Sequence, residues 1–162
     1  MSIHQTFRTY TPLVRREENG LVYAISPTLD VKIGFGGVSL KDEFLTQEYL
    51  HRHDVLVPEP YGIHDVKILN WRTGFGYRNS RQRGIVMEHI NGEVIIDRVA
   101  YFLDKKLLEA WNETMNTCEK LGVEPRQQQP RGKYASLLSN CIWTPNNKLF
   151  FVNLSDCEIS FG

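Results

Sequence analysis

Lys133-Tyr-Ala-Ser-Leu-Leu-Ser-Asn140 runs into Cys141-Ile-Trp143, and Leu149-Phe-Phe-Val152 follows with Asn153 at its end. Pro145-Asn-Asn147 separates the two apolar runs, so the segment reads as a β-hairpin around an Asn-rich turn. Asn140 and Asn153, thirteen positions apart, stand at its two mouths.

Upstream of that hairpin, Leu103, Leu107, Trp111, Met115, Cys118 and Leu121 advance by threes and fours. This stripe predicts an amphipathic helix over 99–121, ended by Gly122. Glu124 to Arg131, with three Gln and two Pro, reads as a loop. Towards the N-terminus, Leu21-Val-Tyr-Ala-Ile25 and Leu29-Asp-Val-Lys-Ile33 are β-rich runs across the turn Ser26-Pro27-Thr28. Ser39 with Asp42 resembles a capping box, and Leu40, Phe44, Leu45 and Tyr49 recur at helical spacing, which predicts a helix over 40–53. Val57-Pro-Glu-Pro60 stops it, because proline lacks an N–H and restricts the residue before it. A strand is expected at Tyr61 to Leu69, a Gly-, Asn- and Arg-rich loop over 70–83, and a short buried strand at Gly84-Ile-Val-Met-Glu88 closed by the turn Asn91-Gly92.

The 162 residues carry 19 basic and 19 acidic side chains and 11% aromatics, which describes a globular chain with no electrostatic bias toward nucleic acid or an anionic membrane. Arg72, Arg78, Arg81 and Arg83 therefore read as a solvated insertion, and His51 and His53 as surface residues. Cys118, Cys141 and Cys157 are odd in number and lack CxxC spacing, so a disulfide framework or zinc site is not expected and a reducing, cytoplasmic setting fits. Met1 to Arg16 has no apolar run, so neither a signal peptide nor a transmembrane span is expected.

In order, these elements resemble the protein-kinase-like fold, and within it the aminoglycoside-phosphotransferase and fungal kinase-like branch. The resemblance covers roughly residues 18–161 and rests on three pieces. They are Val31-Lys32-Ile33 as the third strand, Glu43 through Leu50 into His53-Asp-Val-Leu-Val-Pro58 as helix C, and Val86-Met-Glu-His-Ile-Asn-Gly92 as the hinge. It implies an α+β, two-lobed fold: an antiparallel-sheet N-lobe with helix C over 1–92 and a truncated, mostly helical C-lobe over 93–162. By resemblance Lys32 holds nucleotide phosphates and is held by Glu43, since a flexible ammonium needs a counter-charge to stay aimed. Glu88, His89 and Ile90 would offer backbone groups to an adenine edge, with Asn140 and Asn153 completing the nucleotide-binding set.

Departures from the family pattern are as informative. Relatives place a Gly-rich loop over the phosphates so that backbone amides can approach them, whereas Glu17-Glu-Asn-Gly20 supplies one glycine flanked by acids. Gly34-Phe-Gly-Gly37 comes after the lysine strand and reads as a loop. Counting back from Asn140, the catalytic aspartate of the relatives falls on Ala135, which cannot accept a proton; Asn153 replaces the metal-binding aspartate. Asp156 is the nearby acid that could hold a metal instead.

The resemblance thus implies a pseudokinase, with no catalytic residue assigned, that acts as a binding or regulatory module, with ATP and Mg²⁺ held weakly or not at all. An active small-molecule phosphotransferase using Asp156 and Glu124, and an interaction domain with no nucleotide pocket, are the alternatives. The segments that follow Asn153 in relatives are not expected in the nine residues that remain. Uncovered apolar surface then calls for a protein partner or a second copy of the chain, without nucleic acid or membrane.

Overall fold

A computed structural model describes residues 6–10, 14–17, 20–34, 40–73, 76–95, 104–125, 141–152, 154 and 157–159. The architecture is α+β. The chain divides into two compact units, one of residues 1–44 and 59–89, the other of residues 45–58 and 90–162.

The first unit is built on a six-stranded sheet: β1 (Thr6–Tyr10), β2 (Arg15–Glu17), β3 (Gly20–Ala24), β4 (Leu29–Gly34), β5 (Pro60–Thr73) and β6 (Gly76–Glu88). Their spatial order is β1-β5-β6-β4-β3-β2. The expected antiparallel pairing holds throughout β2 to β6, while β1 joins β5 in parallel, Thr6 opposite Asp65 and Tyr10 opposite Leu69. Strand alternation sends Leu21, Tyr23, Val31, Ile33, Val66, Ile68 and Val86 into one apolar cluster. The β3–β4 turn is held by Ser26, whose hydroxyl accepts from the Thr28 and Leu29 amides at 3.2 and 3.1 Å.

The loop expected over 70–83 is not one. β5 and β6 continue as a ribbon, with Trp71 opposite Arg78, Arg72 opposite Tyr77 and Thr73 opposite Gly76, after an irregularity between Ile68 and Trp71. Neighbouring backbones satisfy each other's N–H and C=O groups whatever the side chains, so Arg and Asn density does not forbid pairing.

Helix α1 (Leu40–Arg52) lies where the spacing placed it, but the buried stripe is a different one. Glu43, Thr46, Gln47 and Leu50 are buried, whereas Leu45 is 48% exposed. The buried polar members have partners: Gln47 Nε2 donates to the Pro58 carbonyl at 2.6 Å, and Glu43 meets Lys32. After the helix Asp54 takes a left-handed φ of 62°, and the chain turns toward Pro58. Ser39, the expected cap, lies outside the described residues.

In the second unit α2 (Lys105–Lys120) buries Leu107, Trp111, Met115 and Cys118, members of the predicted stripe. It starts at Lys105, later than the expected 99, because extended Asp104 is its N-cap and accepts from the Lys106 and Leu107 amides at 3.0 and 3.2 Å. Gly122, at φ 74°, ends it as expected. These side chains join Leu50, Val55, Val57, Val123, Cys141, Leu149, Phe151 and Leu154 in one core. Burial pushes the Cys118 thiol up to about 11, so it is an inert apolar filler at neutral pH.

The predicted hairpin is β9 (Cys141–Trp143) with β10 (Leu149–Phe151), Leu149 facing Trp143, and Asn147 adopts a left-handed φ of 62° in the turn. Thr144 closes that turn: its amide donates to the Lys148 carbonyl at 2.9 Å and its hydroxyl accepts from the Lys148 amide at 3.0 Å. β7 (Glu93–Val94) pairs on the other side of β9. A second small sheet joins β8 (Val123–Pro125) to β11 (Cys157–Ile159), so Glu124 and Pro125, expected in a loop, belong to a strand. Among the described residues this unit is therefore mixed, not mostly helical.

Candidate functional site

On β4 the apolar cluster takes Val31 and Ile33, which leaves Asp30 and Lys32 on the opposite face of the sheet. That face is not solvated. Asp30 is fully buried and Lys32 is 2% exposed, beside Val22 and Ile85, the strand neighbours of Lys32, which are themselves fully buried. Ionised groups stripped of water in this way persist only when they are paired.

The pairing runs through six side chains of the first unit. Lys32 Nζ lies 2.5 Å from Glu43 Oε1 and 2.8 Å from Glu17 Oε1. The other Glu17 oxygen accepts from Arg15 Nε at 2.8 Å. Arg15 also reaches Asp30 at 3.7 Å, and His89 Nδ1 lies 3.0 and 2.9 Å from the two Asp30 oxygens. The side chains of Glu17, Asp30, Lys32 and Glu43 are at most 4% exposed. His89, at 23%, is the member in contact with solvent.

The titration of each group follows its neighbours. For Glu17, burial pulls the pKa up, but Arg15 and Lys32 outweigh it and hold the carboxyl below its ordinary value. For Lys32, burial alone would lower the pKa, and Glu17 and Glu43 overcome it, so the ammonium is held above its ordinary value. Asp30 goes the other way: burial raises it, and His89 and Arg15 compensate only in part.

Of the residues read from the sequence as a nucleotide site, the structure brings Lys32 and Glu43 into contact. Glu88 ends β6, and its carboxylate accepts from the Glu59 amide at 3.2 Å. The hinge amides of Glu88 and His89 already donate within the unit, to Glu59 O at 3.0 Å and Thr28 O at 2.9 Å. Ile90, in the second unit, is buried with Ile142 and Val152. Asn140, Asn153, Asp156 and Ala135 lie outside the described residues. No cluster of three or more His, Cys, Asp or Glu that could hold a metal occurs among the described residues, and no helix there is long and apolar enough to cross a membrane.

The sequence reading missed Arg15, Glu17 and Asp30. The signal was present on β4 as period-two polarity, Asp30 and Lys32 alternating with Leu29, Val31 and Ile33, while β2, paired to it through β3, is charged throughout as Arg15-Arg16-Glu17. Such alternation ordinarily marks a solvated face. Glu17 also has company from Gly20, its cross-strand partner, where a β-carbon would lie 2.5 Å from the Ile33 carbonyl oxygen and 2.9 Å from Lys32 Cε. The glycine expected to fall short as a phosphate loop instead makes room for the lysine stem.

Comparison with family models finds no match, and no curated protein matches the sequence. Among solved structures, the chain is similar to a co-crystal structure of WbdD with the kinase inhibitor LY294002 and to a 2.2 Å crystal structure of WbdD. In each case the identity is 11%, the TM-score 0.49, and the alignment covers 93% of this chain and 34% of the other. The chain spans about a third of the length of those structures.

Proposed function

We propose that this chain is a kinase-like module, of the aminoglycoside-phosphotransferase and fungal kinase-like type, that acts as a binding or regulatory module toward a protein partner and does not transfer phosphate efficiently. One observation carries the kinase-like part: a buried strand lysine, Lys32, ion-paired at 2.5 Å to a helix glutamate, Glu43. An ammonium aimed by a glutamate is the arrangement that a phosphate-holding strand lysine requires. The non-catalytic part rests on Ala135 and Asn153, which take the places of a base and a metal-binding carboxylate. Losing even one preorganised stabiliser of a charged transition state costs about 3–4 kcal/mol. Loss of both base and anchor leaves no route to efficient turnover, so ATP and Mg²⁺ are at most weak ligands in this reading.

The experiment is a radiolabelled-ATP assay with Mg²⁺ or Mn²⁺ over protein and small-molecule acceptors. The expected result is no transfer above background. Robust transfer that disappears in Lys32→Ala overturns the reading.

A further inference from the structure

We propose that Glu17 is the resident anion of the Lys32 site: its carboxylate takes the place of a diphosphate oxygen on Lys32 Nζ, so the module excludes diphosphate ligands for as long as β2 stays paired. This deepens the reading above and rests on it.

Four observations converge on Glu17. Its Oε1 lies 2.8 Å from Lys32 Nζ, at ion-pair distance. Its Oε2 is held by Arg15 at 2.8 Å, so the side chain cannot swing aside without breaking a second charged contact. The β2–β3 register places Glu17 directly opposite Gly20, with residues 18 and 19 as the whole connection, which fixes where that carboxylate can go. Gly20 in turn sits so close to the Lys32 stem that no β-carbon fits there, and the lysine is left 2% exposed.

Charge completes the argument. Lys32 already faces two carboxylates, from Glu17 and Glu43, and the next cation, Arg15, is itself taken up by Glu17 and Asp30, so no positive surplus is left for a diphosphate. A phosphate oxygen arriving at Nζ would meet Glu17 as a like charge in a desolvated setting, where repulsion is least screened. Glu43 alone would orient the lysine and leave it able to receive an anion. Glu17 is the residue that closes the site.

The test is calorimetric titration of the whole chain with ADP and, separately, with inorganic pyrophosphate, which separates a nucleotide requirement from simple diphosphate recognition. Wild type is compared with Glu17→Gln and with Glu17→Gln/Lys32→Met, and circular dichroism checks that each is folded. Glu17→Gln is expected to bind at least one of the two probes about tenfold or more tighter than wild type, a gain abolished in the double variant. A gain with pyrophosphate as large as with ADP assigns the site to diphosphate; a gain with ADP alone assigns it to nucleotide. If Glu17→Gln is unfolded, Glu17→Asp replaces it, because one methylene less withdraws the carboxylate from Nζ while keeping the charge near Arg15, and a gain in the same direction, smaller because the charge remains, is expected. No gain in the folded variant, or wild-type binding as tight as the variant's, overturns the proposal. Such a result leaves the non-catalytic reading standing, because that reading fails only by phosphate transfer in the wild type.

Discussion

At β4 the two faces of the sheet bury side chains by opposite means. On one, Leu21, Tyr23, Val31, Ile33, Val66, Ile68 and Val86 meet as an apolar cluster. On the other, Arg15, Glu17, Asp30 and Lys32 from the strands and His89, just past the end of β6, are linked with Glu43 from α1. Adjacent residues of one strand, Val31 and Lys32, are 0% and 2% exposed. Apolar burial is non-directional and divisible, about 1.5–3 kcal/mol for each large side chain. The charged face works only as a set, because each desolvated ion has its neighbours as its sole compensation. Equal burial therefore conceals unequal tolerance of change.

The largest expected difference comes from removing the central cation. Lys32→Met leaves the Glu17 and Glu43 carboxylates buried around one apolar side chain, and urea unfolding is expected to register a loss of about 3–5 kcal/mol. Lys32→Met/Glu17→Gln/Glu43→Gln, which removes the charges together, is expected to recover most of it; a triple variant as unstable as the single one breaks the account of the charged face as a set. On the apolar face Ile68→Val deletes one methylene from a fully buried position, at an expected cost of about 0.5–1.5 kcal/mol in the same measurement. A cost equal to that of Lys32→Met would erase the contrast between the faces.

The finest test is acid dependence. Glu17 titrates below its ordinary value of 4.5 in the fold, so its ion pairs contribute stability above pH 4.5 that is lost as pH falls through the lowered folded pKa. Asp30 has the opposite sign: burial raises it above 3.8, its charged form is the disfavoured one, and acidification through its folded pKa relieves the fold. The two partly cancel in the wild type, so the informative quantity is a difference. The gap in unfolding free energy between wild type and Glu17→Gln is expected to shrink below pH 4.5. A gap that stays constant from about pH 7 to about pH 3 removes Glu17 from the linked set.

How much was legible beforehand varied with how local the cause was. α2 was readable because its buried residues Leu107, Trp111, Met115 and Cys118 are apolar and helically spaced, and the β9–β10 hairpin because Asn147 takes the left-handed conformation that its turn needs. The ribbon over 70–73 and 76–83 was misread because backbone pairing needs only a partner strand, and that partner is not visible in local composition. α1 was placed correctly but with its apolar face overestimated: Glu43 and Gln47 are buried with partners that lie 11 residues away in the chain, Lys32 and Pro58.

The candidate site shows the same limit. Lys32 and Glu43 were singled out by resemblance, and contact between them is a tertiary fact. Glu17 looked like a flaw in a phosphate loop when only its neighbours in sequence were in view, and in space it is a second ligand of Lys32.

By itself the chain determined its α+β class, its chief turns, the Gly122 end of α2, and the absence of carboxylates at Ala135 and Asn153, because these depend on dihedral preference, side-chain periodicity and residue identity. Only the tertiary structure decided which charges are solvated and which are locked together. An ionised side chain reads alike in either setting, and it is the removal of water by strands and helix brought from distant parts of the chain that turns Glu17, Lys32 and Glu43 into one interdependent group.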